Sequence, residues 1–307
     1  MIVTTLPVDL LFAEFGTLVR ERIPIAPYTS ARIGGPADAL ITVSNSDELE
    51  KVIGFIWEHE IPYLILGGGS NVLVSDRGVR GAVVLNRAKQ VRFEEDEAPR
   101  VWCEAGAVFS NLANRCATRG LAGLEWAATV PGTVGGAVYG NAGAFGGDMA
   151  GNLIWAEVLT RDGRRRYPAD QMGYGYRTSV LKRGEVKGIV LSVLLGLKTA
   201  TRDEVSVKIE QFVSRRKATQ PAGASMGSMF KNPPGDHAGR LIEAAGLKGT
   251  RIGNVEISTV HANFFINRGD TTAEDVQRLI ELARSIVRQK FGIELELEVE
   301  FVGDWSA

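Results

Sequence analysis

The placement of glycine constrains this chain more than any other feature. Of 36 glycines in 307 residues, 16 lie between Gly67 and Gly151. The total is about 12% of the chain, against a usual value near 7%. A flexible linker can be this rich in glycine, but here valine, leucine and tryptophan are interleaved throughout. Without a Cβ, glycine lets backbone pass close to other backbone or to a ligand. Two clusters stand out. One is Gly67-Gly68-Gly69-Ser70-Asn71; the other is residues 129–147, with seven glycines, three alanines and one proline in 19 residues.

Composition narrows the class. With 45% hydrophobic and 23% charged residues the chain is an ordinary globular protein, and not a disordered, collagenous or disulfide-stapled one. At roughly 150 residues per domain the length suggests two domains and allows one or three. Thirty-five basic against 36 acidic residues leave no net field to draw nucleic acid or an anionic membrane. Cys103 and Cys116 read as small buried thiols in a reducing cytoplasm. Three histidines and two cysteines show no metal-ligand spacing, so no metal is expected. No apolar stretch reaches the roughly 18 residues of a membrane span, and no secretory leader opens the chain; a cytoplasmic location is expected.

The pattern predicts a helix over 7–20, an irregular stretch over 23–36 and a strand over 39–43. Ser46 is the expected N-cap of a helix whose buried face is Leu49, Val52, Ile53, Ile56 and Trp57. A strand over 63–66 then runs into the glycine turn, which makes a small βαβ unit. Further strands are expected within 72–108, at 154–160 and at 189–197, with a helix over 112–119. Thr201 with Glu204, and Thr271 with Glu274, have the spacing of helix-capping pairs. From Ile293 onward apolar residues alternate with Glu294, Glu296, Glu298 and Glu300, the pattern of a half-buried strand with a solvated acidic face.

Each candidate for chemistry has a plainer alternative. Glycines at 67–71 let backbone N–H groups converge on an anion, with Ser70 and Asn71 adding donors; otherwise they make a tight turn. Neither a P-loop nor the Rossmann spacing is present. Residues 129–147 leave space for a flat ligand or a second backbone, and a dinucleotide could spread across both loops. Arg177, beside Tyr174 and Tyr176, could fork a carboxylate or be a surface cation. Ser228, following Gly227 with Lys231 and Asn232 nearby, could donate a proton or simply shape a turn.

Taken in order, several segments resemble the UDP-N-acetylenolpyruvoylglucosamine reductase (MurB) family of bacterial cell-wall synthesis. They are Tyr28-Thr29-Ser30 with Gly34-Gly35, the run 64–71, Pro131 to Gly136 with Asn141 to Gly143, Tyr176 to Ser179, Gly227-Ser228 to Pro233, His261 to Phe264, and 295–303. The ordered set covers nearly the whole chain from about residue 20. It implies an α+β fold: a two-subdomain FAD-binding module of the vanillyl-alcohol-oxidase (PCMH) type over 1–85 and 86–200, and a C-terminal α+β substrate domain over 201–307. The absence of room for an extra segment between Ser179 and Arg215 matches the family's shorter, type II-like subclass.

The implied reaction is ping-pong. NADPH reduces a non-covalent FAD and leaves; the enolpyruvyl ether of UDP-N-acetylglucosamine then enters and becomes UDP-N-acetylmuramate. The resemblance assigns FAD contacts to Tyr28, Gly67, Gly68, Gly69, Ser70, Asn71, Thr129, Pro131, Gly132, Gly135, Gly136 and Asn141. It assigns substrate contacts to Tyr176, Lys217 and Asn232, and catalysis to Arg177, Ser228 and Glu298. Arg177 would stabilise charge developing on the substrate carboxylate, and Ser228 would protonate the α-carbon, with Lys231 or water assisting. Glu298 would help the enolic intermediate only if protonated or bonded through water, which requires a raised pKa. The expected partners are these small molecules alone, with a monomeric protein.

Overall fold

The computed structural model describes residues 7–94 and 97–306. A four-stranded sheet opens the fold, in the order Val19–Pro24, Pro36–Val43, Val79–Asn86, Tyr63–Leu66. The first pair is antiparallel and the other two are parallel. The expected βαβ unit is therefore present with a third strand inserted: Pro36–Val43 and Tyr63–Leu66 both pair with Val79–Asn86, and not with each other. Helix Ser46–Glu58 covers one face, burying Leu49, Val52, Ile53 and Ile56 against Ile41, Ala82 and Val84.

A five-stranded antiparallel sheet follows, in the order Gly163–Pro168, Leu153–Thr160, Ile189–Gly196, Arg100–Glu104, Val91–Glu94. Helix Phe109–Ala117 packs Phe109, Leu112, Ala113 and Cys116 into the core of this sheet. Cys103 and Cys116 lie buried there as free thiols, the expected state. The C-terminal part sets helices Ala238–Ala244 and Ala273–Phe291 against a three-stranded sheet, Arg251–Ile252, Val255–Ile257 and Phe265–Asn267.

Local chemistry explains where the elements depart from the sequence pattern. The first helix stops at Phe15, because Gly16 at φ +53° turns the chain into strand Val19–Pro24, which pairs with Pro36–Val43. Asn45, and not Ser46, caps the second helix, accepting from the Glu48 N–H at 2.8 Å. Thr272, and not Thr271, caps the long C-terminal helix, while Thr201 and Glu204 form the complete capping box expected. The tail forms a regular strand only over Glu300–Val302, with a single bridge from Leu297 to Phe230 before it.

Ser46 is displaced from capping by a longer-range task. Its N–H and hydroxyl donate to Glu104 Oε1 at 2.8 and 3.0 Å, and the Gln90 N–H donates to Glu104 Oε2 at 2.8 Å. Glu104 is only 3% exposed, so this carboxyl joins the helix N-terminus of the first sheet to a strand of the second. Glu104→Ala leaves buried donors unpaired and should cost about 2–4 kcal/mol, since bonds to a charged group exceed neutral ones. Denaturant unfolding of the apoprotein measures it; an unchanged midpoint would remove Glu104 from this role.

Candidate active site

The site is assembled by the end of the chain. Strand Glu300–Val302 returns to pair in parallel with Val72–Val74, which directly follows the glycine turn. Asn71 grips the returning strand on both sides of Val299. Its Nδ2 donates to the Glu298 carbonyl at 3.0 Å, and its carbonyl accepts from the Glu300 N–H at 3.0 Å. Across the strand, the Glu298 N–H donates to the Met229 carbonyl at 3.0 Å, and the Lys231 N–H donates to the Glu296 carbonyl at 2.8 Å. Ser228 is thus one residue from a backbone partner of Glu298, and on its other side it bridges to Phe264. No described protein group hydrogen-bonds the half-buried Ser228 hydroxyl.

Arg177 meets this strand from the second sheet's side. It lies in a tight turn in which Gly175 and Thr178 exchange N–H···O bonds at 3.2 and 3.3 Å. Its φ of +58° places an arginine in the left-handed region that usually favours glycine, and such local strain collects at functional sites. Nε donates to Glu298 Oε1 at 2.7 Å, and the side chains are 25% and 15% exposed. Burial raises the Glu298 pKa and outweighs the opposing pull of Arg177, Lys182 and Lys231. Glu298 therefore does not lie on a solvated acidic face, as strict alternation had suggested; Glu294 and Glu296 do. The direction of its shift is the one its sequence role requires.

The glycine clusters meet each other. A Cβ on Gly68 would lie 2.6 Å from Gly132 Cα, on Gly67 2.3 Å from Thr133 Oγ1, and on Gly69 2.3 Å from the Tyr28 carbonyl. A Cβ on Gly132 would meet Ser70 Oγ at 2.6 Å, and on Gly135 would meet Ala105 Cβ at 2.8 Å. Ser70 Oγ reaches the Pro131 carbonyl at 3.5 Å. Three glycines in the second cluster have room: Gly136 would meet only Thr133 Oγ1 at 3.8 Å, and Gly140 and Gly146 have nothing within 4 Å. Arg87 stands half-buried at the same turn, its Nη1 donating to the Gly67 carbonyl at 2.7 Å. Burial lowers its pKa, and among the described residues no carboxylate pairs with it. Backbone amides at a glycine turn, an uncompensated guanidinium and an uncrowded glycine face together fit a flat, anionic dinucleotide.

Other candidates are placed differently. The Asn141 side chain is occupied by protein: φ is +46°, Nδ2 donates to the Gly175 carbonyl, and Oδ1 accepts from the Ala150 N–H, both at 3.0 Å. It ties the glycine-rich stretch to the turn carrying Arg177. The Asn232 N–H donates to the Tyr176 hydroxyl at 3.4 Å, while Asn232 Oδ1 accepts from the Ala238 N–H at 3.1 Å, at the start of a helix. Tyr176 is exposed, with the Arg177 guanidinium 5.4 Å from its ring centre. Lys217 lies exposed on the last turn of helix Arg202–Thr219 and makes no contact with the Arg177–Glu298 pair among the described residues. Its neighbour Arg216 reaches inward instead, donating to the Thr129 carbonyl. Lys231 is engaged by Glu296. Arg87, Lys182 and Arg216 carry no individual signal in the sequence. Among the described residues, no group of three or more His, Cys, Asp or Glu is placed to hold a metal ion, and no helix is long and apolar enough to cross a membrane.

Comparison with known proteins gives this geometry a family. Residues 37–166 match the FAD binding domain, and residues 219–302 match the C-terminal domain of UDP-N-acetylenolpyruvoylglucosamine reductase. The chain is 47% identical to the UDP-N-acetylenolpyruvoylglucosamine reductase of Rubrobacter xylanophilus, over 92% of this chain and 94% of that one. It is 44% identical to the same-named protein of Chloroflexus aggregans, over 92% and 97%. The crystal structure of UDP-N-acetylenolpyruvylglucosamine reductase (MurB) from Thermus caldophilus superposes with TM-score 0.79 at 38% identity, over 92% of this chain and 99% of that one. The molecule is a flavin-dependent oxidoreductase of α+β fold, with an FAD-binding module followed by a C-terminal α+β domain. The chain belongs to the UDP-N-acetylenolpyruvoylglucosamine reductase family of peptidoglycan synthesis.

The two kinds of glycine should separate by experiment. Gly68→Ala forces two backbones apart and should lower the unfolding temperature of the apoprotein. Gly136→Ala meets little protein and should leave that temperature within a degree or so, while weakening flavin binding at least tenfold by fluorescence titration. Equal effects of both substitutions on apoprotein stability would contradict the assignment of open space to Gly136.

Proposed function

We propose that this chain reduces the enolpyruvyl ether of UDP-N-acetylglucosamine to UDP-N-acetylmuramate, with NADPH as the reductant and FAD bound without a covalent link. The observation that carries the reading is the half-buried Arg177–Glu298 pair, held one residue along the strand ladder from Ser228. On this reading residues 1–85 and 86–200 form the two FAD-binding subdomains, and 201–307 the substrate domain. The FAD diphosphate lies on 67–71 with Tyr28 near, and Thr129, Pro131, Gly132, Gly135, Gly136 and Asn141 belong to the cofactor side. Arg87 and Arg216 supply positive charge there. Tyr176, Lys217 and Asn232 serve the UDP end. The protein acts as a monomer on small molecules in the cytoplasm.

FAD, when bound, supplies the hydride that adds to the vinyl CH₂ carbon. The protein's own residues manage the charge and the proton. As the hydride arrives, negative charge develops as an enolate on the substrate carboxylate. Arg177 offers paired donors and delocalised charge to that group, in a site where water is partly excluded. An ionised Glu298 would repel the same charge. Burial instead favours its neutral form, which repels nothing and donates a hydrogen bond. The Ser228 hydroxyl then gives its proton to the α-carbon and recovers one from Lys231 or from solvent.

The visible spectrum of the purified protein follows both halves. NADPH should bleach the flavin and the enolpyruvyl substrate should restore it. Ser228→Ala should leave bleaching intact and slow the return by about 10²–10⁴-fold, the usual worth of a positioned proton donor. Equal losses in both halves would remove Ser228 from that role. The rate of return should also fall as pH rises through the Glu298 pKa, which lies above that of an ordinary glutamate.

A further inference from the structure

Three glutamates alternate along the returning chain, and each meets a different cation. Glu296 pairs with Lys231, Glu298 with Arg177, and Glu300 with Lys182 at 3.0 Å. The third pair lies mostly out of water, with Lys182 and Glu300 side chains 18% and 32% exposed. It is also anchored from behind. The Lys182 N–H donates to Ser179 Oγ at 3.2 Å, and that hydroxyl, on a fully buried residue, donates to the Tyr139 carbonyl at 2.6 Å. The Tyr139 ring completes the arrangement: burial, and then the charge and hydrogen bond of Glu300, push its hydroxyl up to about 12. Tyr139 stands on helix Val134–Gly140, within the glycine-rich stretch.

This arrangement bears on what happens when substrate arrives. The substrate carboxylate claims the Arg177 fork, so Glu298 must then share the one cation that bonds it directly among the described residues. A free lysine nearby would stabilise ionised Glu298, and that charge would oppose the developing enolate. The cations facing Glu298 are Arg177 and Lys182 from the 175–182 segment and Lys231 from the 228–232 segment; Glu296 and Glu300 are the carboxyls on its own strand. Glu296 is 73% exposed, so its hold on Lys231 is screened by solvent. The Glu300 pair is the firmer one.

We infer that Lys182 and Glu300 are positioning residues for the reduction, with Glu300 engaging the Lys182 ammonium and keeping it from drawing Glu298 into its ionised form. The inference rests on the proposed reaction and on the protonated role of Glu298 in it. Neither residue needs to touch substrate. Tyr139 and Ser179 hold the pair in place.

The test reads the pH profile of flavin return in stopped flow, using NADPH-reduced holoenzyme mixed with the enolpyruvyl substrate. Glu300→Gln, nearly isosteric, releases Lys182 toward Glu298 and should move the falling limb about one pH unit lower. Lys182→Met leaves Glu300 uncompensated beside Glu298 and should move the limb higher. The double variant should return toward wild type, and Lys182→Arg should leave the limb in place. The pH profile of NADPH bleaching should not move in any of them, which a general loss of structure would not respect. Limbs that stay put, or that shift in the same direction in both single variants, overturn the inference. If wild-type flavin does not respond to the enolpyruvyl substrate at all, the proposed reaction itself fails.

Discussion

The parallel pairing of Glu300–Val302 on Val72–Val74 is the contact on which the site depends. Those strands are 226 or more residues apart in sequence, with Glu300 opposite Val72, and their register decides which side chains face inward. A slip of one residue would turn Glu298 away from Arg177 and present Val299 instead. Asn71 fixes the register by bonding Glu298 and Glu300 at once. The same residue ends the glycine turn, so that turn and the Glu298 carboxyl share one fixed point. Leu295 and Val299 face the other way, into the C-terminal core with Leu279 and Val287. Asp76 strengthens the junction by accepting from the Ala273 and Glu274 N–H groups at 2.8 and 3.0 Å, at the start of the long helix.

Placing Glu298 and Arg177 out of water has a thermodynamic cost. Ionising a carboxyl whose folded-state pKa is raised is less favourable in the native protein than in the unfolded chain, so Glu298 stabilises the fold least at high pH. Arg177 limits that loss, and removing one partner of such a pair is worse than never having had it. The positive φ of Arg177 adds backbone strain to the same turn. Asn141 and Ser179, bonded to the Gly175 and Tyr139 carbonyls, bind this segment to the glycine-rich stretch. Stability elsewhere in the cores supports a site that is not at its own local optimum.

Much of this was legible in sequence where the cause is local. The capping box of Thr201 and Glu204, the buried stripe of helix Ser46–Glu58 and the two glycine clusters are all visible as short-range patterns. Local pattern misled where a distant partner competed. Ser46 is as good a cap as Asn45, but Glu104, 58 residues on, takes its hydroxyl. Alternation of Glu294, Glu296, Glu298 and Glu300 is genuine, yet it cannot show that the strand leaves solvent midway and meets Arg177 and Lys182. Glycine total flagged close approach without saying to what. Gly68 and Gly132 approach each other, while Gly136 and Gly140 face open space. Arg87, Lys182 and Tyr139 carry no sequence mark that separates them from ordinary surface residues, because their roles come from non-local neighbours.

The central claim is that Asn71 couples the glycine turn to the strand carrying Glu298, and one variant addresses it directly. Asn71→Ala should be reduced with NADPH and then mixed with the enolpyruvyl substrate, with both flavin absorbance changes timed in the same sample. Loss of the Nδ2 bond to the Glu298 carbonyl should slow the return of absorbance far more than the bleaching, in protein that still folds and still holds flavin. A return as fast as that of the unsubstituted protein would show that the strand keeps Glu298 in place without Asn71, and would contradict the account.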